Sequence, residues 1–312
     1  MPDLTSWIVS QRPARPAVDP SKPHGFFIEQ ERNAAGRIVS SACLLLTNKE
    51  CPWRCLMCDL WKHTLTGPTP LGAIPKQVDF AFSRLGQAPE QVKLYNSGSF
   101  FDLAAVPAGD YKPVAQRIAF ARHVIVESHP RLIGARTLHF RDLLAGSLEV
   151  AIGLETTHPQ ILPRLNKNFT LADFARAAEF LMAQSVTLRA FILVQPPFMR
   201  VEEAVEWAVK SAEFAFACGA SAVSLIPTRP GNGALDRLIE TSEFCPPKIQ
   251  TLEQALDTAI RLNKGRAFAD TWDLAQFASC SACLSLRKQR LELTNLTQNI
   301  QPPVTCPACD SS

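Results

Sequence analysis

Three cysteines fall within eight positions of the stretch NKECPWRCLMCDLWKH (48–63): Cys51, Cys55 and Cys58, spaced by three residues and then two. Clustered thiols in a reducing compartment usually hold metal. A structural zinc ion asks for four protein ligands, and an ordinary cubane iron–sulfur cluster takes four cysteines. Three cysteines on a cubane leave one iron without a protein ligand, which is what chemistry on a small molecule requires. The rival is zinc held by the trio together with His63. A second group lies near the end, where CSAC (280–283) and CPAC (306–309) form two knuckles separated by 22 residues. Cys280, Cys283, Cys306 and Cys309 together can close a tetrahedral zinc site or hold an iron–sulfur cluster. Zinc is the preferred expectation, because it stabilises a small appendage with little core of its own.

Seven of the ten cysteines are thereby grouped. Cys43, Cys218 and Cys245 stand among apolar or proline neighbours and are expected to be small buried hydrophobes. With 312 residues and 46% hydrophobic content, the chain can bury one large domain, with or without a small appendage. Its net charge of +3 permits an anionic partner such as a nucleic acid without demanding one. There is no apolar run of about 20 residues of the kind that crosses a bilayer. The opening MPDLTSWIVSQRPARPAV lacks the apolar core and cleavage site of a secretory leader. The expected location is therefore the cytoplasm, where disulfides are rare, with no membrane partner.

The elements that must position these thiols read as an alternation. Residues 1–35, rich in proline and arginine, are expected to form an irregular arm. Six short apolar runs then predict strands at 41–48, 91–99, 123–128, 148–156, 188–195 and 221–229. Helical patterns fall between and after them, at 75–85, 110–121, from Pro130, and at 170–185, 201–218 and 248–262. Thr170 is the expected N-cap with Asp173 three residues on, and Gly219 the expected stop. Strand–helix alternation of this kind predicts a parallel barrel or open sheet. The strands end in Thr47-Asn48, Asn96-Ser97, Glu127-Ser128, Glu155-Thr156, Gln195 and Thr228-Arg229. In parallel α/β folds the ligand site lies along that edge. The expected division is an arm (1–35), a barrel (36–264) and a four-cysteine segment (265–312). In that last segment Arg287, Lys288 and Arg290 are expected on a solvated helix face, with a nucleic-acid patch as the alternative. Trp53 and Trp61 are expected to pack around the cysteine loop.

The three-then-two spacing, with an apolar residue (Met57) before the last cysteine, resembles the signature of the radical S-adenosylmethionine (SAM) superfamily over residues 38–230. The resemblance implies a partial (β/α)6 barrel of the TIM type. It implies that Cys51, Cys55 and Cys58 ligate a [4Fe–4S] cluster whose open iron chelates SAM, and that an external electron donor supplies the electron. Reductive cleavage would then yield a 5′-deoxyadenosyl radical that takes a hydrogen from the substrate. By the same resemblance Asn96, Ser97, Gly98 and Ser99 stand where the SAM ammonium group is bound, although the common Gly-Gly-Glu form is absent. Glu127 and Ser128 match positions facing the ribose or methionine part, and Glu155 follows a strand where relatives carry a polar SAM contact. Lys167 either pairs with the SAM carboxylate or is an exposed charge at a helix start. Gln195, before the helix-breaking PPF (196–198), is expected to face SAM or substrate.

The motifs ECPWRCLMCDLW, YNSGSFFD, VESHPRLI and IGLETT, with the terminal knuckles, are similar to the radical SAM subunit of archaeosine synthase, whose barrel is related to that of the Elp3 tRNA-modifying enzymes. That family implies a lyase acting on a lysine-bearing 7-deazaguanine base in tRNA, after a separate partner enzyme has installed the lysine. The alternative is a radical SAM enzyme for a small molecule or peptide, with an auxiliary cluster on the C-terminal cysteines. A non-catalytic metal-binding module on nucleic acid is the third reading.

Overall fold

The computed structural model describes residues 3–310. Eight strands form one sheet in sequence order: β1 (Gly25–Arg32), β2 (Ile38–Leu46), β3 (Gln91–Asn96), β4 (His123–Ser128), β5 (Ser147–Glu155), β6 (Thr187–Val194), β7 (Ala222–Pro227) and β8 (Arg266–Ala269). β2 to β8 run parallel, and β1 is an antiparallel edge strand on β2. Helices α1 (Leu4–Ser10), α2 (Ala73–Leu85), α3 (Ala108–Arg117), α4 (Ala135–Leu143), α5 (Ile161–Arg164), α6 (Leu171–Ala183), α7 (Ala204–Ala217), α8 (Ala234–Glu240), α9 (Ile249–Arg261), α10 (Leu284–Thr297) and α11 (Pro307–Asp310) complete it.

Side chains alternate across each strand. Val92 and Leu94 of β3, Val124 and Val126 of β4, and Ala190, Ile192 and Val194 of β6 join one buried cluster with Val78 of α2, Phe174 of α6 and Leu252 of α9. The opposite face is concave. Glu31 of β1 and Arg189 of β6 pair at 2.7 Å, although five inter-strand steps in a flat sheet would separate them by roughly 24 Å. Tyr95 of β3 likewise meets Phe191 of β6 edge to face at 5.9 Å. Only a sheet curled into a partial barrel brings these side chains together.

The six strands expected from the sequence are β2 to β7, within a few residues. Thr170 and Asp173 form a reciprocal capping box at the start of α6, and Gly219 ends α7 with φ +91°. The sheet exceeds expectation at both edges. Residues 25–32, expected within an irregular arm, form β1, turned onto β2 through Asn33–Arg37 with Gly36 at φ +77°. Its inward positions include Glu29 and Glu31, so it does not read as an apolar run. β8 adds an eighth strand beyond the expected barrel boundary.

α10 contacts both β1 and β8 and covers the gap between these two edges. The Asn295 amide accepts from the Ala269 N–H and donates to its carbonyl, at 2.8 Å each way. Gln298 does the same for Ala267, at 2.9 Å each way. Two side-chain amides thus supply the partners that a ninth strand would offer the edge of β8. Arg287 and Arg290, expected on a solvated face, are buried instead. Arg287 pairs with Glu253 at 2.5 Å and Arg290 with Asp257 at 2.7 Å, fastening α10 to α9. Of the three basic residues Lys288 stays exposed. Two of the three charges are spent inside the fold, which removes them from any nucleic-acid patch. Cys43 is buried as expected, but Cys218 is only half-buried and Cys245 is exposed. Among the described residues no helix is long and apolar enough to cross a membrane.

Candidate functional site

The cysteine loop leaves the C-terminal end of β2 and crosses the mouth of the partial barrel. Its backbone is held from three sides. The Leu56 N–H donates to the Leu165 carbonyl at 2.9 Å. The Asn232 amide donates to the Leu56 carbonyl at 2.8 Å and the Cys58 carbonyl at 3.3 Å, and Asn166 donates to the Arg54 carbonyl at 2.7 Å. Glu50, just before the loop, binds Arg12 and Arg15 of the N-terminal segment and Arg54 of the loop itself. Met57 packs toward both apolar clusters beside the loop, one containing Leu56 and Leu235 and one containing Leu165 and Leu193. Trp61 is buried, as expected of a packing residue. Trp53 stacks on His129 with centroids 3.6 Å apart. His63, the fourth ligand of the zinc alternative, stacks on His24 instead.

The expected polar residues converge on the same mouth in two kinds of role. Some are already committed. Ser99 Oγ accepts from the His129 N–H at 2.6 Å, and Ser128 Oγ donates to the His129 carbonyl at 3.1 Å. Asn48, which the sequence reading placed only as a polar strand end, accepts from the Ser97 N–H at 3.1 Å and ties the ends of β2 and β3 together. Others lack partners. Both amide atoms of Asn96, Ser97 Oγ and Gln195 Oε1 are buried without a hydrogen bond within the protein. A buried polar atom left unpaired costs about 1–3 kcal/mol, so four at one edge mark a place shaped for a polar ligand. Gln195 spends its other amide end on the Cys245 carbonyl. Gly98 lies against the loop: a Cβ there would come to 3.0 Å from Cys51 Cβ.

Lys167 is not an exposed charge. It donates to the Gly153 carbonyl at 2.7 Å and pairs closely with Glu155. Burial works against the Lys167 ammonium, but Glu155 with Cys55 and Cys51 outweighs it and raises the pKa. Glu155 itself has φ +65° and sits where the β5–β6 register shifts, a local bulge that turns the strand end toward the mouth. Burial pushes Glu127 up to about 8, with Glu155 adding to the shift and Lys167 opposing it. Burial drives His129 down to about 4, so the ring is neutral. It accepts the Arg131 N–H at Nδ1 and donates from Nε2 to the Lys167 carbonyl at 2.9 Å.

Burial also raises the Cys51, Cys55 and Cys58 thiols to about 12, so a bound cation must displace their protons before they serve as ligands. Among the described residues, the group whose metal-capable atoms all lie within 4.8 Å of one another is Cys280, Cys283, Cys306 and Cys309. In the C-terminal group Cys280 Sγ lies 3.3–3.7 Å from the other three sulfurs, and Cys283 Sγ 3.6 Å from Cys309 Sγ. Arg287 Nε donates to Cys283 Sγ at 3.3 Å and ties this group to α10. The residues that sequence reasoning missed are Asn48, Asn166, His129 and Asn232. Asn48 read only as a polar strand end and the other three as ordinary loop residues; only contacts made across the mouth single them out.

No protein-family model matches the chain. It is 24% identical over 308 residues to an uncharacterised protein of Methanocaldococcus jannaschii, covering 92% of this chain and 84% of that one. It is 27% identical over 213 residues to the archaeosine synthase subunit beta of Methanosarcina acetivorans, covering 66% of this chain and 61% of the relative. With the same subunit of Thermococcus kodakarensis it shares 28% identity over 191 residues, 56% of each chain. In fold it is similar to the archaeal Elp3 of Methanocaldococcus infernus, with a TM-score of 0.54 and 12% identity over 81% of this chain and 63% of that one. By its relatives, its curled sheet and its three-cysteine loop at the barrel mouth, the chain resembles the radical SAM superfamily.

Proposed function

We propose that this protein is a radical SAM enzyme that modifies a 7-deazaguanine base in tRNA by C–N bond cleavage, as the archaeosine synthase likeness suggests. The observation that carries the radical SAM part is the meeting of the Cys51, Cys55 and Cys58 loop with the unpaired polar atoms of Asn96, Ser97 and Gln195 at one end of the barrel. Cys51, Cys55 and Cys58 would hold a [4Fe–4S] cluster, which with SAM supplies a 5′-deoxyadenosyl radical for hydrogen abstraction.

The chain's own residues bind and orient. Asn96 and Ser97 offer acceptors for an ammonium group, and Gly98 lets the backbone come close to Cys51. Ser99 and Ser128 fix the end of β4, where Glu127 can accept both hydroxyls of a ribose. At pH 7 a Glu127 raised to about 8 is mostly protonated, and a cationic ligand beside it would favour the carboxylate. Lys167 has one donor left beyond Glu155 and Gly153, enough for a carboxylate of the ligand. Gln195 keeps a buried, unpaired oxygen at the same edge, and Met57 keeps the loop packed against its apolar neighbours. An external electron donor and a partner enzyme that installs the lysine complete the expected system, in the cytoplasm.

The C-terminal group favours zinc. Tetrahedral Zn–S bonds of about 2.3 Å set sulfurs about 3.8 Å apart, close to the separations found, and a four-iron cluster needs a wider cage. That geometry weakens the reading in which these cysteines carry an auxiliary cluster for a small-molecule or peptide substrate. The test is anaerobic reconstitution with SAM and a reductant. 5′-Deoxyadenosine well above a Cys55→Ala control is expected. Yield equal to that control would remove the enzyme reading, and stimulation by peptides or small molecules with none by tRNA would remove the tRNA substrate.

A further inference from the structure

Trp272 is the one aromatic side chain among the described residues that stands strongly exposed at the mouth, at 53% of its surface. It follows β8, whose C-terminal end points the same way as those of β2 to β7. Phe120, the other exposed phenyl or indole ring among the described residues, precedes β4 at the opposite end and packs on Phe82. A tryptophan left in water forgoes a large hydrophobic gain, and here the surrounding backbone is not loose. Arg229, from the end of β7, donates to the Trp272 carbonyl at 2.7 Å and pairs with Asp270 at 2.8 Å. The Trp272 N–H donates to Asp270 Oδ1 at 2.9 Å, and the guanidinium lies over the Phe277 ring. The indole is therefore held out at the rim by a fixed turn.

Its inner neighbour is Phe27 of β1, with ring centroids 5.1 Å apart and planes at 48°. Phe27 shares the concave face with Glu29 and Glu31 by the two-residue period. Across the lumen Tyr95 and Phe191 make a second aromatic pair. Below them Glu29, although paired with Lys93 at 2.6 Å, keeps 35% of its side chain exposed. A step of aromatic rings thus descends from the rim toward a carboxylate. With 53% of its surface exposed the indole has room for a flat partner, and stacking of a base on an aromatic side chain contributes about 1–3 kcal/mol.

We propose that Trp272 is the stacking platform for the planar ring of the substrate, a heteroaromatic base, at the barrel mouth. This deepens the reading of the site as one that acts on a nucleobase and rests on it. The experiment is equilibrium binding of 7-deazaguanosine to reconstituted wild-type protein, Trp272→Ala and Trp272→Phe, with free lysine as the non-planar control. The expected result is saturable nucleoside binding, about 5- to 150-fold weaker in Trp272→Ala and largely restored in Trp272→Phe. Absence of nucleoside binding, or equal affinity in all three, overturns the proposal. A loss in Trp272→Ala of binding to unmodified tRNA, with nucleoside affinity intact, also overturns it and makes the residue an RNA-surface contact. Deoxyadenosine release by the wild-type protein is read separately, so a failure of the radical SAM reading is not mistaken for failure of the platform.

Discussion

Arg189 lies at the floor of the lumen with its guanidinium between Glu31, at 2.7 Å, and Glu149, at 2.6 Å. Lys93 adds a further ion pair to Glu31 at 2.5 Å. Burial opposes every charge in this group, yet the arginine and lysine hold the Glu31 carboxyl well below its usual range, and Arg189 with His123 holds Glu149 at about 2. Removing one member leaves buried charge uncompensated. Arg189→Met should therefore lower stability by about 3–5 kcal/mol, read by chemical denaturation; a change below about 1 kcal/mol would contradict the role of the floor. Acid should act in two windows. His24 and His129 are both depressed to about 4, mainly by burial. The unfolded chain takes up their protons near pH 6.5, so stability falls as pH drops from about 6.5 to 4. Glu31 and Glu149 are depressed too, so their contribution is present above about pH 4.5 and is lost as pH falls toward 2. A thermal midpoint recorded across pH 7 to 4 should decline, less steeply in His129→Gln, and a flat wild-type profile would count against the neutral histidines.

At the scale of elements, the decisive piece is α10. The cysteine knuckle at its N-terminus, the Arg287–Glu253 and Arg290–Asp257 pairs along it and the Asn295 and Gln298 amides near its end form one continuous attachment. Stripping metal from Cys280, Cys283, Cys306 and Cys309 should loosen that attachment from one end. Amide exchange at β8 should then quicken after chelation, with β3 to β6 little changed; unaltered protection of Ala267 and Ala269 would show the helix to be held without the metal. Asn295→Ala removes two hydrogen bonds and should cost about 2 kcal/mol. These elements were unevenly legible. The runs that became β2 to β7 announced themselves because their outward residues meet helices and must be apolar. β1 escaped because Glu29 and Glu31 point into a charged interior. Arg287 and Arg290 looked like a solvated face because their partners, Glu253 and Asp257, lie about 33 residues away.

For the whole molecule, the proposed function calls for two separate metal sites, one open at the mouth and one closed at the four C-terminal cysteines. Anaerobically purified protein should carry about four irons and one zinc per chain. About eight irons with no zinc would replace the closed ion site with a second cluster, and zinc alone would remove the radical reading altogether. The chain spans 61% and 56% of the length of the two archaeosine synthase subunits it matches.

By itself the sequence determined the open three-cysteine set, the four-cysteine group and the alternation of six strands with helices. Each of these is written in spacing or period along a short stretch of chain. Tertiary structure alone decided that β1 and β6 meet across a charged floor and that α10 stands in for a missing strand. It also decided that the Asn96 amide, Ser97 Oγ and Gln195 Oε1 are buried without a hydrogen bond and that Trp272 is held out at the rim. Those outcomes depend on how far the sheet curls, and curl brings together residues that no local pattern links.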